Sequence, residues 1–253
     1  MNNLRGILEL GYVLAITQFK AQNEGSYLGI LWYLLDPLLL FTVIVIARGA
    51  AFPADSIQNF PVYLLIGLLL LHLFTKTTSD AIEVVSRHDQ FIKNMKISYE
   101  ALVVSVVLKR LFTHLFEIII LAGVMFFTGV TLLGLILYPF ILLIFSVFLL
   151  GISFLLAPMG AYVRDFANLW SPLTRVLLFA TPVFYAASPG TLTYTISLFN
   201  PVFHYMSSAR SILIEGTMPP AVTLLGMIGF ATIAFVVGIF VFSRTKHRFP
   251  ELV

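Results

Sequence analysis

Ionisable residues inside apolar segments are the first candidates for chemistry in this chain. His114 and Glu117 lie one helical turn apart, Asp36 stands directly before a proline, and Arg175 lies in a separate apolar stretch. Ionisable groups at membrane depth mark ion paths or proton relays, so an ion-coupled carrier could use His114 and Glu117 to pass a proton. The alternative is structural: these two side chains pair with each other or with a neighbouring helix, and Arg175 extends its charge to the interface. The structural role is favoured, because the chain shows no internal repeat of the kind that such carriers use.

Motifs for catalysis are missing from the sequence. It has no G-x-x-x-x-G-K-[ST] loop to cradle nucleotide phosphates, no H-E-x-x-H and no G-x-S-x-G. Its five histidines are scattered without metal-ligand spacing, and the lack of cysteine excludes disulfides and thiolate chemistry. The net charge of +3 is too small to indicate nucleic-acid binding. We therefore predict a chain that is not an enzyme, holds no cofactor or metal, and binds no nucleic acid.

Hydropathy identifies the elements that must position these residues. The chain is 59% hydrophobic and 11% charged, with a mean hydropathy of +0.99, whereas soluble domains carry about 25% charged residues. The run from Ile118 to Val163 holds no charged residue or histidine over 46 residues, about twice the roughly 20 residues that cross a bilayer core. This run is therefore two spans joined near 128–131. We predict a polytopic membrane protein whose 253 residues leave no room for a soluble domain.

The fold class predicted from these patterns is an all-α membrane protein with one domain. Residues 3–20 carry apolar side chains on one helical face, which is typical of an amphipathic helix in the membrane interface; a helix packed on a partner is the alternative. Six predicted transmembrane helices follow, at about 28–47, 60–78, 108–128, 132–157, 167–187 and 220–242.

Basic residues predict the orientation of these spans. Eleven Lys and Arg lie in the N-terminal helix, the 76–100 loop, the 164–175 bend and the C-terminus, whereas the opposite loops hold only Arg48 and Arg210. Positive residues favour the cytoplasmic side of a membrane. Both termini are therefore predicted to be cytoplasmic, in a chain that crosses the cytoplasmic (inner) membrane.

Prolines interrupt the segment between the fifth and sixth spans, at Pro182, Pro189 and Pro201. Non-helical backbone at membrane depth persists only where protein buries it or where it lines a watery cavity. Residues 183–214, which overlap an outer region at 188–218, are therefore predicted to dip back into the membrane as a broken helical hairpin. A plain external loop is the alternative.

Aromatic residues cluster near both predicted membrane edges. They are Tyr27, Trp32 and Tyr33 on one side, and Phe184, Tyr185, Phe203 and Tyr205 on the other. Trp and Tyr favour the interfacial belts of membrane proteins. An aromatic path that stacks sugar rings is the alternative, and composition does not separate the two.

Four stretches of the sequence form a recognisable series. They are Phe19-Lys20 with Ser26–Trp32 and Asp36-Pro37, then Phe91–Ile97, then Tyr162–Asp165, and last Thr181–Tyr185 with Asn200-Pro201 and Ala209-Arg210. Their order and spacing resemble the transmembrane subunit of ABC-2-type exporters, in the branch that moves O-antigen, capsule or teichoic-acid polymers. The likeness covers nearly the whole chain. Two positions depart from it: Gln18 replaces a frequent second basic residue, and Asp36 replaces a more frequent Asn.

The resemblance implies a division of labour between subunits. Two copies of this chain would form a channel, and two copies of a separate ABC ATPase subunit, which holds ATP and Mg²⁺, would bind the cytoplasmic face. The 87–97 loop would be a coupling helix that sits in a groove on the ATPase. Its contact residues would be Phe91, Ile92, Lys93, Met95 and Lys96.

The resemblance also implies roles along the path of a lipid-linked glycan among membrane lipids. Lys20 and Arg164 would meet the pyrophosphate of the lipid carrier, because cations near the cytoplasmic leaflet suit an anionic head group; positive-inside topology and an Arg164–Asp165 helix cap are the alternative. Sugars would pass between the first and fifth spans, along Trp32, Tyr33, Phe179, Phe184 and Tyr185. The outer region would gate the exit through Pro182, Asn200, Pro201, Phe203 and Tyr205.

Three other functions stay open from sequence. An ABC-2 permease for a drug or a lipid has the same layout. An ion-coupled secondary carrier would use His114 and Glu117 and would need no ATPase. A membrane-embedded glycosyltransferase or other lipid-processing enzyme would need an acidic cluster at a membrane face, for which Asp80, Glu83 and Asp89 are the candidates. We predict instead that these three acids are solvated residues of a cytoplasmic loop.

Overall fold

The computed structural model describes residues 4–24, 29, 31–51, 57, 59–88, 98–163 and 165–249. Within these ranges the chain forms helices and short connections and has no β-strand, which confirms the predicted all-α class. The α-helices of these ranges are α1 (Leu4–Asn23), α2 (Leu31–Ala51), α3 (Phe60–Arg87), α4 (Tyr99–Phe127), α5 (Tyr138–Tyr162), α6 (Phe166–Ala180), α7 (Leu192–Ser197), α8 (Pro201–Arg210) and α9 (Ala221–Thr245). A 3₁₀ helix (Leu132–Ile136) precedes α5, a π-helical turn (Ser211–Glu215) follows α8, and a 3₁₀ turn (Lys246–Arg248) extends α9.

Four of the described helices are long and apolar enough to cross a membrane. They are Phe60–Arg87, Tyr99–Phe127, Tyr138–Tyr162 and Ala221–Arg248. Each exceeds the roughly 20 residues that a hydrocarbon core of about 30 Å requires. The chain is therefore a multi-pass membrane protein, as its composition predicts.

Two helix starts differ from the predicted spans for local reasons. α4 begins at Tyr99 rather than near 108, because apolar, buried residues continue the helix on its N-terminal side. The fourth predicted span starts at 132, but that stretch forms the 3₁₀ helix, and α5 begins at Tyr138 with Pro139 in its first turn. Proline is tolerated there because N–H groups of the first turn have no partner within the helix.

The end of α6 also differs from the prediction. The helix stops at Ala180, well before the predicted boundary at 187. Thr181 has extended backbone angles, φ −103° and ψ 136°, and Pro182 follows it. A proline ring disfavours α-helical geometry at the residue before it, and here Thr181 has left the helix. The break sets the start of the irregular segment that leads to α7.

The core of the bundle lies where α3, α5 and α9 meet. α5 packs most extensively against α9 and α3, while α4 packs against α1 and α3. α8 is enclosed by α3, α5 and α9, and most of its residues are buried. α6 differs from these helices because none of its residues is fully buried. It attaches to α3 through a hydrogen bond of 3.0 Å from the Trp170 indole to the Thr78 hydroxyl.

Two glycines of α5 allow neighbouring backbones to approach closely. A side chain at Gly160 would overlap the carbonyl group of Ile82 in α3, and one at Gly151 would overlap the backbone at Ala234 in α9. Small residues permit such backbone contacts between helices in membranes. Any larger residue at either position must push two helices apart.

We expect the substitution Gly160→Val to destabilise the bundle, because its side chain would meet the backbone of α3 rather than a flexible side chain. Overpacking of this kind costs about 1–3 kcal/mol. The measurement is the thermal midpoint of the detergent-solubilised protein. Gly123→Val in α4 is the matched control, since Gly123 has nothing within 4 Å of an added Cβ. Equal midpoints for the two variants would contradict the close α3–α5 contact.

α1 divides its apolar residues between the bundle and the outside. Ala15 is buried, and Gly11 lies against Val104 of α4. Phe19 stacks on Phe116 of α4 with ring centroids 6.0 Å apart. Leu4, Leu8 and Tyr12 share this apolar face but are exposed, although the Tyr12 ring also meets Phe112 of α4 edge to face at 6.1 Å. α1 is therefore packed on a partner helix and still presents apolar residues outward.

Candidate functional site

A polar network links four helices inside the bundle. Nδ1 of His72 on α3 lies 2.7 Å from Oε1 of Glu117 on α4. The other carboxylate oxygen of Glu117 lies 2.6 Å from Nδ1 of His114, whose Nε2 lies 2.9 Å from the hydroxyl of Tyr138 on α5. At the opposite end, Nε2 of His72 lies 3.4 Å from Oδ2 of Asp36 on α2. The network therefore runs from α2 to α5.

Helical spacing explains how the network is assembled. His114 and Glu117 are three residues apart on α4, so they share a face. His72 and Lys76 are four residues apart on α3 and face α2, where the Lys76 ammonium lies 3.1 Å from Oδ2 of Asp36. One carboxylate oxygen thus meets both an imidazole and an ammonium group.

Burial explains why the inner part of the network is paired. The side chains of His114 and Glu117 are 1% and 2% exposed, and buried ionisable groups are stable only when they are paired and hydrogen-bonded. The predicted pairing of His114 with Glu117 is confirmed, and Glu117 also binds His72 of a neighbouring helix. Among the described residues, no further polar side chain continues the network beyond Tyr138, which is fully buried. This arrangement suits a structural support better than a proton path.

The larger cavity beside the network lies between α2, α3 and α6. Its volume is about 530 Å³. Its polar lining residues are Asp36, His72, Thr75, Lys76, Thr174 and Arg175. The remaining wall is apolar, with Leu68 and Leu178 among its members. The cavity therefore places several charged groups against a hydrophobic background.

A second cavity lies on the α1 side of the same polar residues. Its volume is about 320 Å³. It shares three lining residues with the larger cavity and adds five: Gln22, Trp32, Leu35, Leu39 and Arg110. Because Asp36, His72 and Lys76 line both cavities, they form a polar ledge between them.

An ion-pair cluster ties α3 to α4. Oδ2 of Asp80 lies 2.7 Å from the Lys109 ammonium and 2.8 Å from Nη2 of Arg110. Arg87 approaches the other oxygen of Asp80 at 3.7 Å and also pairs with Glu83. Asp80 is 7% exposed, so the prediction that it is solvated is wrong. The sequence suggested a water-exposed end of α3, but packing against α4 buries this carboxylate between two cations.

A buried arginine binds the non-helical backbone that follows the end of α6. Nη1 of Arg210 donates a hydrogen bond of 2.8 Å to the Pro182 carbonyl oxygen, and Nη2 donates one of 3.0 Å to that of Val183. Nη2 also donates to the Tyr63 carbonyl oxygen at 3.2 Å, and the guanidinium stacks on the Tyr63 ring at 3.4 Å. The guanidinium therefore joins α8, α3 and the segment that follows α6.

The residues predicted for an outer gate form parts of this packed region. The side chain of Asn200 caps α8 by accepting from the backbone N–H of Val202 at 3.0 Å, and it donates to the Thr181 hydroxyl at 2.8 Å. Pro201 takes the first turn of α8. Phe203 and Tyr205 are buried; the Tyr205 hydroxyl donates to the Met227 carbonyl oxygen of α9.

The residues predicted along a sugar path lie in two places. Trp32 is 56% exposed and lines the smaller cavity, together with the polar ledge. Phe179, Phe184 and Tyr185 form a chain of edge-to-face rings at the end of α6. The Tyr185 hydroxyl donates to the Phe179 carbonyl oxygen at 3.2 Å, and Tyr63 donates to the Tyr185 carbonyl oxygen at 2.9 Å.

The structure describes only part of the predicted lipid-entry and coupling residues. Lys20 is described; it lies in the last turn of α1 and is exposed. Its predicted companion Arg164 lies outside the described residues, as does the Tyr33 side chain. The same holds for Asp89 and for the predicted coupling residues Phe91, Ile92, Lys93, Met95 and Lys96.

A bundle of long apolar helices with an internal polar network is typical of a membrane transporter subunit, and comparison with known proteins identifies which kind. The model of the ABC-2 type transporter family matches residues 10–214, and the chain belongs to this family. It is 26% identical over 255 residues to the O-antigen export system permease protein RfbA of Myxococcus xanthus. The alignment covers 95% of each of the two chains. The chain is 25% identical over 258 residues to a protein of the same name from Klebsiella pneumoniae, in an alignment that covers 99% of this chain and 97% of that protein. The predicted membership in an ABC-2 transporter family is confirmed.

Proposed function

We propose that this chain is the permease subunit of an ATP-driven exporter of a lipid-linked polysaccharide of the O-antigen type. The observation that carries the proposal is its similarity to O-antigen export permeases along 95–99% of its length. The cavities beside the polar ledge support it, because Trp32 together with carboxylate, amide and cationic groups can contact the rings and hydroxyls of sugars.

The proposal includes six spans with both termini in the cytoplasm, in the inner membrane. α2 would join the four longer helices as a span, and the 15-residue α6 would form the remaining span together with the segment that follows it. Both helices carry exposed apolar residues, among them Val43 and Ile46 on α2 and Val176 and Phe179 on α6. Such surfaces suit lipid or a second copy of the chain. We propose a homodimer with two ABC ATPase subunits, which hold the ATP and Mg²⁺.

The ion-pair cluster at Asp80 supports a route for force from the ATPase. The proposed coupling segment 87–97 joins α3 to α4, and the cluster fastens these two helices to each other at Asp80, Lys109 and Arg110. A displacement of the segment would therefore move α3 and α4 as one unit. Since His72 and Lys76 lie on α3, the movement would reshape the cavities.

The glycan would move past two proposed sites before it reaches the outer face. Lys20 and Arg164 would attract the pyrophosphate of the lipid carrier at the cytoplasmic leaflet. The sugars would then pass between α2 and α6, along the larger cavity and towards the aromatic rings of Phe179, Phe184 and Tyr185. The segment from Pro182 to α8, fastened by Arg210, would gate the exit.

We expect Asp80→Ala to destabilise the protein and to reduce export relative to ATP hydrolysis, because Lys109 and Arg110 lose their shared buried carboxylate. Breaking a buried pair costs about 3–5 kcal/mol. The measurements are the thermal midpoint and the amount of glycan exported per ATP hydrolysed. Glu83→Ala is the control, because Glu83 pairs with the half-exposed Arg87 on one helix and such pairs contribute about 0.3–0.5 kcal/mol. Matching values for the two variants would contradict a role for the cluster.

Affinity purification from the native membrane tests the proposed assembly. The purified material is analysed by mass spectrometry and assayed for ATP hydrolysis. We expect an ABC ATPase subunit in near-equal amount, and ATP turnover that is lost when residues 91–96 are disrupted. An eluate without an ATPase and without turnover would contradict the proposal and favour an ion-coupled carrier. An ATPase that is stimulated only by a drug or a simple lipid would contradict the glycan as substrate.

A further inference from the structure

An internal carboxylate occupies a position that suits an external anion. Oδ2 of Asp36 lies 3.1 Å from the ammonium of Lys76 and 3.4 Å from Nε2 of His72. The side chains of Asp36 and Lys76 are 61% and 44% exposed, and both line the larger cavity. Their contact is therefore open to a ligand, whereas the inner part of the network is closed.

The imidazole of His72 is held towards this position from behind. Its Nδ1 lies 2.7 Å from the buried carboxylate of Glu117, which fixes the ring. Its Nε2 is buried and has no hydrogen bond of good geometry in the described part of the chain, although Asp36 approaches it at 3.4 Å. A buried polar atom without a hydrogen bond is costly. Because Nδ1 must donate to the Glu117 carboxylate, Nε2 can donate to an anionic oxygen in the cavity when the imidazole carries a proton on both nitrogens.

A second cation faces the same cavity from α6. Arg175 lines it opposite α3, and among the described residues no carboxylate pairs with Arg175. Asp36 is the one acidic residue in the lining of this cavity as described. The remaining wall is largely apolar, and charges attract each other more strongly where water is scarce. The cavity therefore carries an excess of positive charge that a compact anion can balance.

We propose that the cavity between α2, α3 and α6 binds a phosphate-type anion. Lys76 and Arg175 are its cationic ligands, and the Nε2–H of a protonated His72 is a further donor. Asp36 is a tethered counterion, which the anion displaces from Lys76. The volume of about 530 Å³ falls within the range of about 300–1,000 Å³ for ligand pockets. Two ligands share this chemistry: the phosphate group of a lipid-linked glycan and free inorganic diphosphate. The inference rests on the proposed function for the first of them.

The test is equilibrium binding of radiolabelled farnesyl diphosphate to the full chain in lipid nanodiscs. Lys76→Gln and Arg175→Gln should each weaken binding at least about tenfold, since each removes a charge-assisted hydrogen bond. Asp36→Asn should strengthen binding, because Lys76 loses its internal competitor. Arg5→Gln is the control and should leave binding unchanged, since Arg5 pairs with Glu9 on the exposed face of α1. Lys76→Arg and Arg175→Lys keep the charge and should bind within a few-fold of the parent chain, which separates lost charge from misfolding.

Competing compounds identify the source of the anion. If inorganic diphosphate displaces the labelled farnesyl diphosphate, the site needs only the anion. If unlabelled farnesyl diphosphate displaces it and inorganic diphosphate does not, the site takes a lipid-borne group. Equal competition by uncharged farnesol would overturn the proposal, as would unchanged binding in both glutamine variants or weaker binding in Asp36→Asn. The assay contains no ATP and no ATPase. Its failure would therefore leave the co-purification result untouched, and the two proposals can fail independently.

Discussion

Replacing Arg210 with methionine is expected to abolish export and to loosen the segment between α6 and α8. Methionine keeps much of the volume but leaves the carbonyl groups of Pro182 and Val183 without their donor, whereas the Tyr63 carbonyl keeps its hydrogen bond within α3. Each buried polar group that loses its partner costs about 1–3 kcal/mol. The loss at two carbonyl groups is therefore several times the effect of an ordinary surface substitution.

The measurements for Arg210→Met are the thermal midpoint, limited proteolysis of the 181–200 segment, and glycan at the cell surface. Arg210→Lys should restore little, because an ammonium cannot span several carbonyl groups with the fixed geometry of a guanidinium. Arg244→Met is the matched control: Arg244 is exposed and lies 5.0 Å from the Phe240 ring. Parent-like stability and export of Arg210→Met would show that the outer segment does not depend on this anchor.

Replacing Glu117 with alanine is expected to produce a second large effect. The carboxylate is 2% exposed and holds two histidines, His72 and His114, from different helices. Its loss leaves both rings without a shared acceptor, and breaking such a buried interaction costs about 3–5 kcal/mol. For a chain of this size we expect the thermal midpoint to fall on the order of 10 °C. Export should fall as well, because His72 is no longer fixed at the cavity wall.

Two comparisons make the Glu117 result specific. Glu9→Ala removes a carboxylate from an exposed pair on α1 and should shift the midpoint little, since surface pairs contribute about 0–1 kcal/mol. Glu117→Gln keeps the shape and can accept from only one histidine through its single oxygen, so its midpoint should lie between those of the parent and Glu117→Ala. A midpoint for Glu117→Ala equal to that of Glu9→Ala would contradict the supporting role of the network.

Local patterns in the sequence predict the features that depend on neighbours along the chain. The pairing of His114 with Glu117 follows from their spacing on one helix. The uncharged run from Ile118 to Val163 predicts two helices with a turn between them. The end of α6 is encoded by Pro182, although the prediction placed it too late because hydropathy stays high beyond the break.

Contacts between distant residues could not be predicted in this way. His72 contacts Glu117, which lies 45 residues away in the sequence. Asp36 contacts Lys76 only because α2 passes α3 at these two residues. The position of Asp80 near the polar loop suggests solvent, yet α4 covers it with Lys109 and Arg110. Hydropathy describes whether a segment prefers water or an apolar environment, whereas these contacts depend on how the helices pack.

Arg210 shows how a motif can identify a residue without explaining it. In the sequence, Arg210 stands out as part of the Ala209-Arg210 pair of a family resemblance and as one of two basic residues on the side opposite the predicted cytoplasmic loops. An arginine on the outer side of a membrane protein usually stays near water. Here the guanidinium is buried because the break after α6 exposes carbonyl groups that need donors. The break and its arginine are therefore one structural unit, and neither pattern alone reveals it.

Transport by the reconstituted complex is the most direct test of the central claim, that this chain exports a lipid-linked glycan with energy from a partner ATPase. The permease and its co-purified ATPase are placed in sealed vesicles, and radiolabelled lipid-linked O-antigen is supplied on the ATPase side. We predict that the glycan becomes accessible inside the vesicles only with hydrolysable ATP, and that ionophores leave its transport unchanged. Transport that follows an ion gradient without ATP, or no transport of the glycan while ATP is hydrolysed, would contradict the account.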